Sequence, residues 1–558
     1  MKVLSAFLTS LPRVIKVDNL IFVTSKAAAF STSKMPPKKE KPKKGKTDAD
    51  SSEEETASPA KRMKISDDIV NELSAARLAT ADNILEFKSS KLGEGFKSRV
   101  RTLCGDAGTV LRECKGVMYW MWRDKRVQDN WAMLYCQKMA MELNVPLHVL
   151  CCVPPSFNEM TIRHYTFMLE GLREVAEECD DLNISFHLKA GCPSDVITDK
   201  LLKTHDIGLV VADMSPLREH RGWLETIVKR VGDHGVSVHQ VDGHNIVPVW
   251  VASDKQEYAA RTIRPKITKK LPEYLTEFPP VIKHPVKYKG KVPEPNFESV
   301  YRSLEVDEKG WGVEPVSDFF PPGTKAGLNN LEQFVGKRFK AYGSSRNDPN
   351  VTALSNLSPW VNMGQISMQR AVLYVKKHGK GSSESTASFV EEAVVRRELS
   401  DNFCYYNEHY DSIEGATDWA RKTLNDHKKD KREYVYSRKQ LEEGLTHDDL
   451  WNASQLQLVR EGKLHGFLRM YWAKKVLEWT KSPEDGLKEA LRLNDRYALD
   501  GNDPNGYVGV MWSICGIHDQ GWTERAIFGK IRFMNYQGCK RKFDVNKFVL
   551  KYGAKVHK

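Results

Sequence analysis

Asp448 to Trp479 reads DDLWNASQLQLVREGKLHGFLRMYWAKKVLEW, and the rest of the chain is read outward from it. Leu464, Leu468 and Tyr471 recur at helical spacing, as do Trp472, Val476 and Trp479, so the run from Leu464 onward predicts a mostly buried helix. Trp451, Trp472 and Trp479 share the stretch with His465, Arg469 and Met470. Gly462 and Gly466 interrupt it where a helix favours alanine. In a buried helix such glycines let a ligand or another backbone approach. On spacing alone the tryptophans are core residues.

On both sides of this stretch the helical pattern continues, from about Leu328 to Tyr552. Upstream the pattern alternates. Short apolar runs at Val117–Met121, Leu147–Val153, Ile184–Leu188, Gly208–Ala212 and Val236–Val241 predict strands. Helical stretches at Gln128–Leu143, Thr161–Cys179, Pro193–Lys203 and Pro216–Val231 lie between them. Residues 66–115 read as one or two helices leading into a strand. Strand and helix in alternation predict a parallel, five-stranded, Rossmann-like sheet covered on both faces. No GxGxxG fingerprint marks a dinucleotide site in it. The expected fold class is therefore an α/β N-terminal domain, residues 66–245, followed by an all-helical domain, residues 328–558. Residues 246–327, rich in Pro, Lys and Tyr with little periodicity, read as the connection between the two.

The 558 residues are 28% charged and 41% hydrophobic, which suits more than one globular domain. A net charge of +12 favours a polyanionic partner, most simply nucleic acid. Part of that charge belongs to a basic tail, residues 1–65. Within it residues 1–34 have a mitochondrial presequence composition, and the basic clusters at Lys38–Lys46 and Lys61–Lys64 suit nuclear localisation. Met35 is an alternative start. Ten cysteines without a CxxC pair argue against a zinc site or a disulfide framework and fit a reducing compartment, and no metal is expected. No apolar run approaches the ~20 residues that span a bilayer, so no membrane partner is expected.

Several segments resemble one family closely. These are the opening stretch, LRLNDRYALDGNDPNGYVGVMWSICGIHD (Leu491–Asp519), GKIRFMNYQGCKRKFDV (Gly529–Val545), TALSNLSPWVNMGQIS (Thr352–Ser367), EEAVVRRELSDNFCYYN (Glu391–Asn407) and MYWMWRDKRVQDNWAML from Met118. Together they resemble class II cyclobutane pyrimidine dimer photolyases over roughly residues 95–555. Gly466 stands where class I members carry Asn, a departure that points to class II.

The resemblance implies light-driven repair of UV-damaged DNA by a monomer that uses FAD, reduced and anionic in its active form. The first domain then becomes an antenna domain, with a deazaflavin or folate as candidate pigment. FAD contacts fall on Tyr342, Ser355, Asn356, Leu357, Ser358, Arg469, Asn494, Asp500, Asp503 and Asn505. Arg469 and Asp500 are expected to pair in bidentate fashion beside the ring, with Asn494 facing it. The loop Ser355–Ser358 precedes Pro359, and a helix N-terminus there suits a diphosphate. Glu392, Met470 and Trp512 become the lesion pocket. Trp472, Trp451 and Trp479 become proximal, intermediate and distal members of an electron relay that reaches the surface. Arg396, Trp522, Lys530, Arg532, Lys540 and Arg541 become DNA contacts. Some family members have Trp at the position of Arg396. The rival reading is a cryptochrome-like photoreceptor without repair activity. The nucleus is the expected location, with the mitochondrion reached through residues 1–34.

Overall fold

The computed structural model describes residues 67–79, 96–105, 114–232, 235–307 and 311–557. The tail of residues 1–65, with its presequence and nuclear-localisation readings, lies outside them.

Five parallel strands form where the apolar runs predict them: β2 (Gly116–Trp120), β3 (Leu147–Val153), β4 (Ser185–Ala190), β5 (Ile207–Asp213) and β6 (Ser237–Val241). A further strand, β1 (Val100–Cys104), corrects the expected five-stranded parallel sheet. It pairs antiparallel with β6 and gives a mixed six-stranded sheet of order β1-β6-β5-β2-β3-β4. Its residues VRTLC are largely solvent-facing, so it lacks the apolar run that marked the others. Every residue of β2 and β3 is buried, as expected for parallel strands covered on both faces. Val117, Tyr119, Val149 and Val211 face a core shared with the helical part. Met118, Trp120, Leu150 and Val210 pack under Ile227 and Val231 of the helix Arg218–Gly232.

Caps decide where the predicted helices start. Trp131–Leu143 begins at Asn130, whose side chain accepts from the Ala132 and Met133 amides, rather than at Gln128. The Pro193–Lys203 stretch divides into Pro193–Val196 and Asp199–Thr204, because Thr198 caps the second piece. The segment 246–327 differs most from its reading. It contains a fifteen-residue helix, Ala260–Tyr274, with Pro265 and Pro272 inside it, and those prolines hide its period in the sequence.

The MYWMWRD wording closes the sheet onto the helices. Asp213, at the end of β5, accepts the amides of Trp122, Arg123 and Asp124 at 2.8–3.1 Å and the Tyr119 hydroxyl at 2.7 Å. This turn aims Arg123 at Asp401 of the helix Arg397–Tyr406, 2.7 Å away. Gly364, at φ +72°, lets that turn approach: a Cβ there would lie 2.0 Å from the Arg123 carbonyl. Among the described residues no helix is long and apolar enough to cross a membrane.

Asp129 joins three segments. It accepts Nε and Nη2 of Arg77 at 3.0 and 2.8 Å, and Nε and Nη2 of Arg370 at 3.0 and 2.9 Å. All three side chains are buried. Removing one member of a buried charge cluster leaves the others uncompensated, so Asp129→Asn is expected to cost about 3–5 kcal/mol. A denaturant midpoint that falls with unchanged slope is the expected reading, and an unmoved midpoint would show that the arginines find other acceptors.

Candidate functional site

The opening stretch folds as two helices, Asp449–Glu461 and Gly466–Glu478. Asp448 caps the first by accepting the Trp451 amide at 2.8 Å. Gly462 ends it at φ +69°, in the left-handed region that a C-terminal cap requires. The two glycines therefore do not lie inside one helix: Gly462 is a cap, and Gly466 is the exposed first residue of the second helix. Lys463 sits in the short link between them.

Lys463 and Arg469 converge on Asp500. Arg469 donates through Nη2 to Oδ1 of Asp500 at 2.8 Å, and through Nη1 to Oδ1 of Asn494 at 2.9 Å. Lys463 Nζ and Ser358 Oγ donate to the other Asp500 oxygen at 2.8 and 2.6 Å. The pair expected from sequence is in contact, but it is not bidentate, because the guanidinium divides itself between Asp500 and Asn494. Burial by itself pushes the Asp500 carboxyl up, yet Arg469 and Lys463 hold it well below the usual carboxylate range. Asn362 Nδ2 donates to the carbonyls of Leu499 and Gly501 at 2.9 and 2.8 Å and so fixes the loop that carries Asp500.

These groups form one wall of a cavity of about 640 Å³. Tyr342, Ser355, Asn356, Leu357, Ser358, Arg469, Asp500, Asp503 and Asn505 line it, and so do Glu392, Arg396, Met470 and Trp512. Asn494 stands behind the wall. A Cβ on Gly506 would meet its Nδ2 at 3.0 Å, so the glycine leaves the amide close to the cavity. Gly466 and Gly509 also line the cavity, and a Cβ at either would meet nothing within 4 Å. Open space against bare backbone suits a flat ring system. Arg397 Nη1 and His518 Nε2 belong to lining residues and are buried without a partner. Space, cationic donors and orphaned polar atoms together fit a large anionic ligand with an aromatic ring.

The loop Ser355–Ser358 reaches the cavity by a different device from the one expected. The helix that follows, Ser358–Asn362, has five residues and offers little dipole. The positive charge beside it comes from Lys463, which also bonds Ser358. Asn356 adopts φ +57° in this loop. Asp503 caps the helix Pro504–Cys515 and accepts both nitrogens of Asn505, at 2.9 and 2.8 Å. Its carboxyl therefore serves the helix as well as the cavity.

Glu392 lies in a π-helical turn, Glu391–Arg396, of the kind that recurs at functional sites. Its Oε1 is 2.9 Å from Nη1 of Arg346, a residue passed over in the sequence. Arg396 is bound to Glu391, 3.1 Å away, and Glu391 also holds Arg264. Trp512 has the Lys474 ammonium 5.0 Å from its ring centre and the Arg532 guanidinium 5.5 Å from it. Lys474 is fully buried, and burial lowers its pKa to about 7.

The tryptophans meet as a row. Trp472 is three residues beyond Arg469 on the same helix, so it begins one turn behind the cavity wall. Trp451 stacks on it at 6.3 Å between ring centres and 3° between planes, and Trp479 meets Trp451 at 5.6 Å. Trp479 is only 2% exposed, so the row does not surface there as expected. Tyr436 packs on Trp479 at 5.5 Å, and the half-exposed Tyr434 stacks 6.3 Å beyond it. Trp472 Nε1 donates to Gln455 at 2.9 Å, which orients the first indole.

The basic C-terminal segment is less available than its composition implied. Arg532 forms a fork on Asp519 at 2.8 and 3.0 Å and lies 4.1 Å over the exposed Trp522. Lys540 reaches over Tyr536 at 5.1 Å. Lys530, Lys540 and Arg541 are exposed. Trp522, Lys530, Arg532, Lys540 and Arg541 do not line the cavity. Lys463, Arg346 and Gln455 are the site residues that sequence reading missed. Lys463 lay inside the deciding stretch, but a lysine on a helix-linking turn reads as solvated.

The fold matches that of photolyases and cryptochromes. A class III photolyase from Agrobacterium tumefaciens superposes with a TM-score of 0.62 at 16% identity, over 80% of this chain and 88% of that one. A Synechocystis cryptochrome gives 0.63 at 16%, over 78% and 88%. Residues 117–284 match the family described as DNA photolyase. The deoxyribodipyrimidine photo-lyase of Potorous tridactylus is 56% identical over 473 residues, 85% of this chain and 86% of that protein. Those of Arabidopsis thaliana and Methanothermobacter thermautotrophicus are 48% and 39% identical, over 81% of this chain and 92% and 97% of theirs. The chain belongs to the DNA photolyase family, whose members bind FAD.

Asp500→Asn is expected to fold and to lose flavin on purification, because Arg469 and Lys463 lose their shared anion. Charged hydrogen bonds are worth about 1.5–3 kcal/mol, or about ten- to a hundredfold in retention, read from visible absorbance against the protein band. The depressed Asp500 pKa makes its contribution fully present above the ordinary carboxylate value of about 3.9, and lost only as pH falls below it. Wild-type flavin retention should therefore be flat in this group between pH 5 and 8.

Proposed function

We propose that this chain is a light-dependent lyase that repairs cyclobutane pyrimidine dimers in DNA, with FAD held in the 640 Å³ cavity. The observation that carries this is a single cavity lined both by the cluster around Asp500 and by Glu392, Met470 and Trp512, with a row of indoles starting directly behind it. When bound, reduced anionic FAD supplies, on absorbing light, one electron that the dimer takes up and returns after its ring has split. The relatives' names support repair over the cryptochrome-like alternative.

Each residue has a definite task. Asn494 spends its oxygen on Arg469 and one amide hydrogen on Asp495, 2.8 Å away. The second amide hydrogen can face the ring across Gly506. Tyr342, Ser355 to Ser358, Asp503 and Asn505 hold the rest of the cofactor. Met470 and Trp512 wall the lesion, which must leave the duplex to reach them. Such base flipping is established for photolyases in general.

Arg346 and Glu392, paired at 2.9 Å, face the pyrimidine carbonyls together, with Arg346 as the donor and Glu392 holding it in place. The two groups together stabilise negative charge as it reaches the lesion. Trp472, Trp451 and Trp479 pass an electron inward to oxidised flavin, and Tyr436 and Tyr434 carry the hole from Trp479 to solvent.

Lys530, Lys540 and Arg541 track phosphates, with Trp522 at the rim, while Arg396 and Arg532 act through their carboxylate partners. The protein works as a monomer in the nucleus, with a mitochondrial form addressed by residues 1–34. A deazaflavin or folate antenna would occupy the cavity lined by Trp122, Lys125, Phe157 and His220, beyond the carboxyl ends of the strands. At about 60 Å³ that cavity must widen to admit either ring system.

Glu392→Ala is expected to keep its flavin and to lower repair per absorbed photon about ten- to a hundredfold, the scale of losing one transition-state hydrogen bond. Repair at the wild-type level with intact DNA binding would remove Glu392 from the mechanism.

Trp472→Phe should fold, at a cost of ~1–3 kcal/mol for the lost volume. It should block photoreduction of oxidised flavin under external reductant, because a phenyl ring is far harder to oxidise than an indole. Repair after chemical reduction with dithionite should survive, since that electron goes to the lesion. Loss of both in flavin-loaded protein would assign Trp472 to the pocket, and unaffected photoreduction would mean that the electron enters by another route.

A further inference from the structure

At the end of the sheet where the parallel strands begin, three histidines meet without any part in the repair site. His148 is the second residue of β3, His187 the third of β4, and His205 follows the helix Asp199–Thr204 just before β5. They are 0%, 2% and 7% exposed. One ring nitrogen from each lies within 4.8 Å of the others. His148 Nδ1 and His187 Nε2 are 3.0 Å apart, and the Tyr288 hydroxyl is 3.2 Å from His205 Nδ1. None of the three lines the flavin cavity.

We propose that His148, His187 and His205 bind one divalent late transition-metal ion, zinc foremost, with the Tyr288 hydroxyl beside it as a further donor.

A histidine buried for packing normally gives its polar atoms to backbone carbonyls. Elsewhere in this molecule His164 does so, bonding the Ala498 carbonyl at 2.9 Å. In this cluster the imidazoles turn to one another instead. Nitrogens sharing a tetrahedral ion at 2.0–2.1 Å stand roughly 3.3 Å apart, so a closure of about 1.5 Å at most brings the three into place.

The donor set chooses the ion. Imidazoles without carboxylates suit zinc, copper or nickel, whereas magnesium and calcium require oxygen.

With donors from β3, β4, the entry to β5 and the connection carrying Tyr288, the ion would clip that connection to the sheet. The sequence-based expectation of no metal rested on the missing CxxC motif. It could not weigh histidines that sit 39 residues apart in the chain and meet only through strand pairing.

The test uses full-length, flavin-loaded protein without an affinity tag, dialysed against chelator and then equilibrated with zinc or cobalt(II). Metal analysis is expected to find one ion per chain after free metal is removed. Cobalt is expected to show the strong visible bands of a tetrahedral nitrogen site, and zinc to raise Tm in a concentration-dependent way. His205→Gln, at the least packed position, should weaken zinc binding about a hundredfold or more while leaving the Tm of metal-free protein near that of the wild type. His187→Asn should do the same. Failure of the wild type to retain an ion, or retention with an unchanged cobalt spectrum in both variants, would overturn the proposal. If neither variant folds, the wild-type cobalt spectrum and the zinc-dependent Tm decide, and the absence of either rejects it.

Discussion

The shared anion at Asp500 is the constraint on which the site depends. Its two oxygens receive Arg469 from one helix, Lys463 from the turn before it and Ser358 from a loop about a hundred residues earlier. Two cations on one carboxylate leave this wall positive and hold both cations in fixed positions, which suits an anionic group in the cavity. The same geometry fixes Asn494 through the second arm of Arg469. One buried carboxylate therefore sets the loop, the Asn494 amide and the charge of this wall together.

Behind that wall, packing demands large rings but not indoles in particular. Trp451, Trp472 and Trp479 are among the largest fully buried side chains of the helical core, or nearly so. Their contacts at 5.6 and 6.3 Å are those of close-packed aromatic rings. Phenylalanine could fill much of that space, so burial alone does not explain three indoles in a row. The hydrogen bonds from Trp472 to Gln455 and from Trp451 to the Trp472 carbonyl also fix ring orientation, which volume alone would not require.

The parallel strands were legible in the sequence because both of their faces are buried and their apolar runs are continuous, as at Leu147–Val153. β1 was not, because an edge strand with three exposed residues carries no such run. The helix Ala260–Tyr274 was hidden by its own prolines. At the site, the residue types and their order within Leu491–Asp519 gave the resemblance and so named the members. Partnership was not legible: no spacing rule says that Arg469 divides itself between Asn494 and Asp500, or that Glu392 is met by Arg346. Such pairings are made by tertiary packing, and only the fold reveals them.

Net charge shows the limit most plainly. Seven of the twelve net positive charges lie within residues 1–65, outside the described structure. Of the arginines read as DNA contacts, Arg396 is held by Glu391 and Arg532 by Asp519. The Arg532 fork closed on Asp519 is a poor phosphate ligand, because that partner must first be given up, whereas Arg396 makes a single contact with Glu391. Of the residues read as DNA contacts, the exposed cations that remain are Lys530, Lys540 and Arg541, with Lys542 exposed beside them and Trp522 nearby. Few phosphate contacts mean weak attraction for any DNA, with a shallow dependence on salt. Any preference among DNA substrates must then come chiefly from the cavity that Glu392, Met470 and Trp512 line.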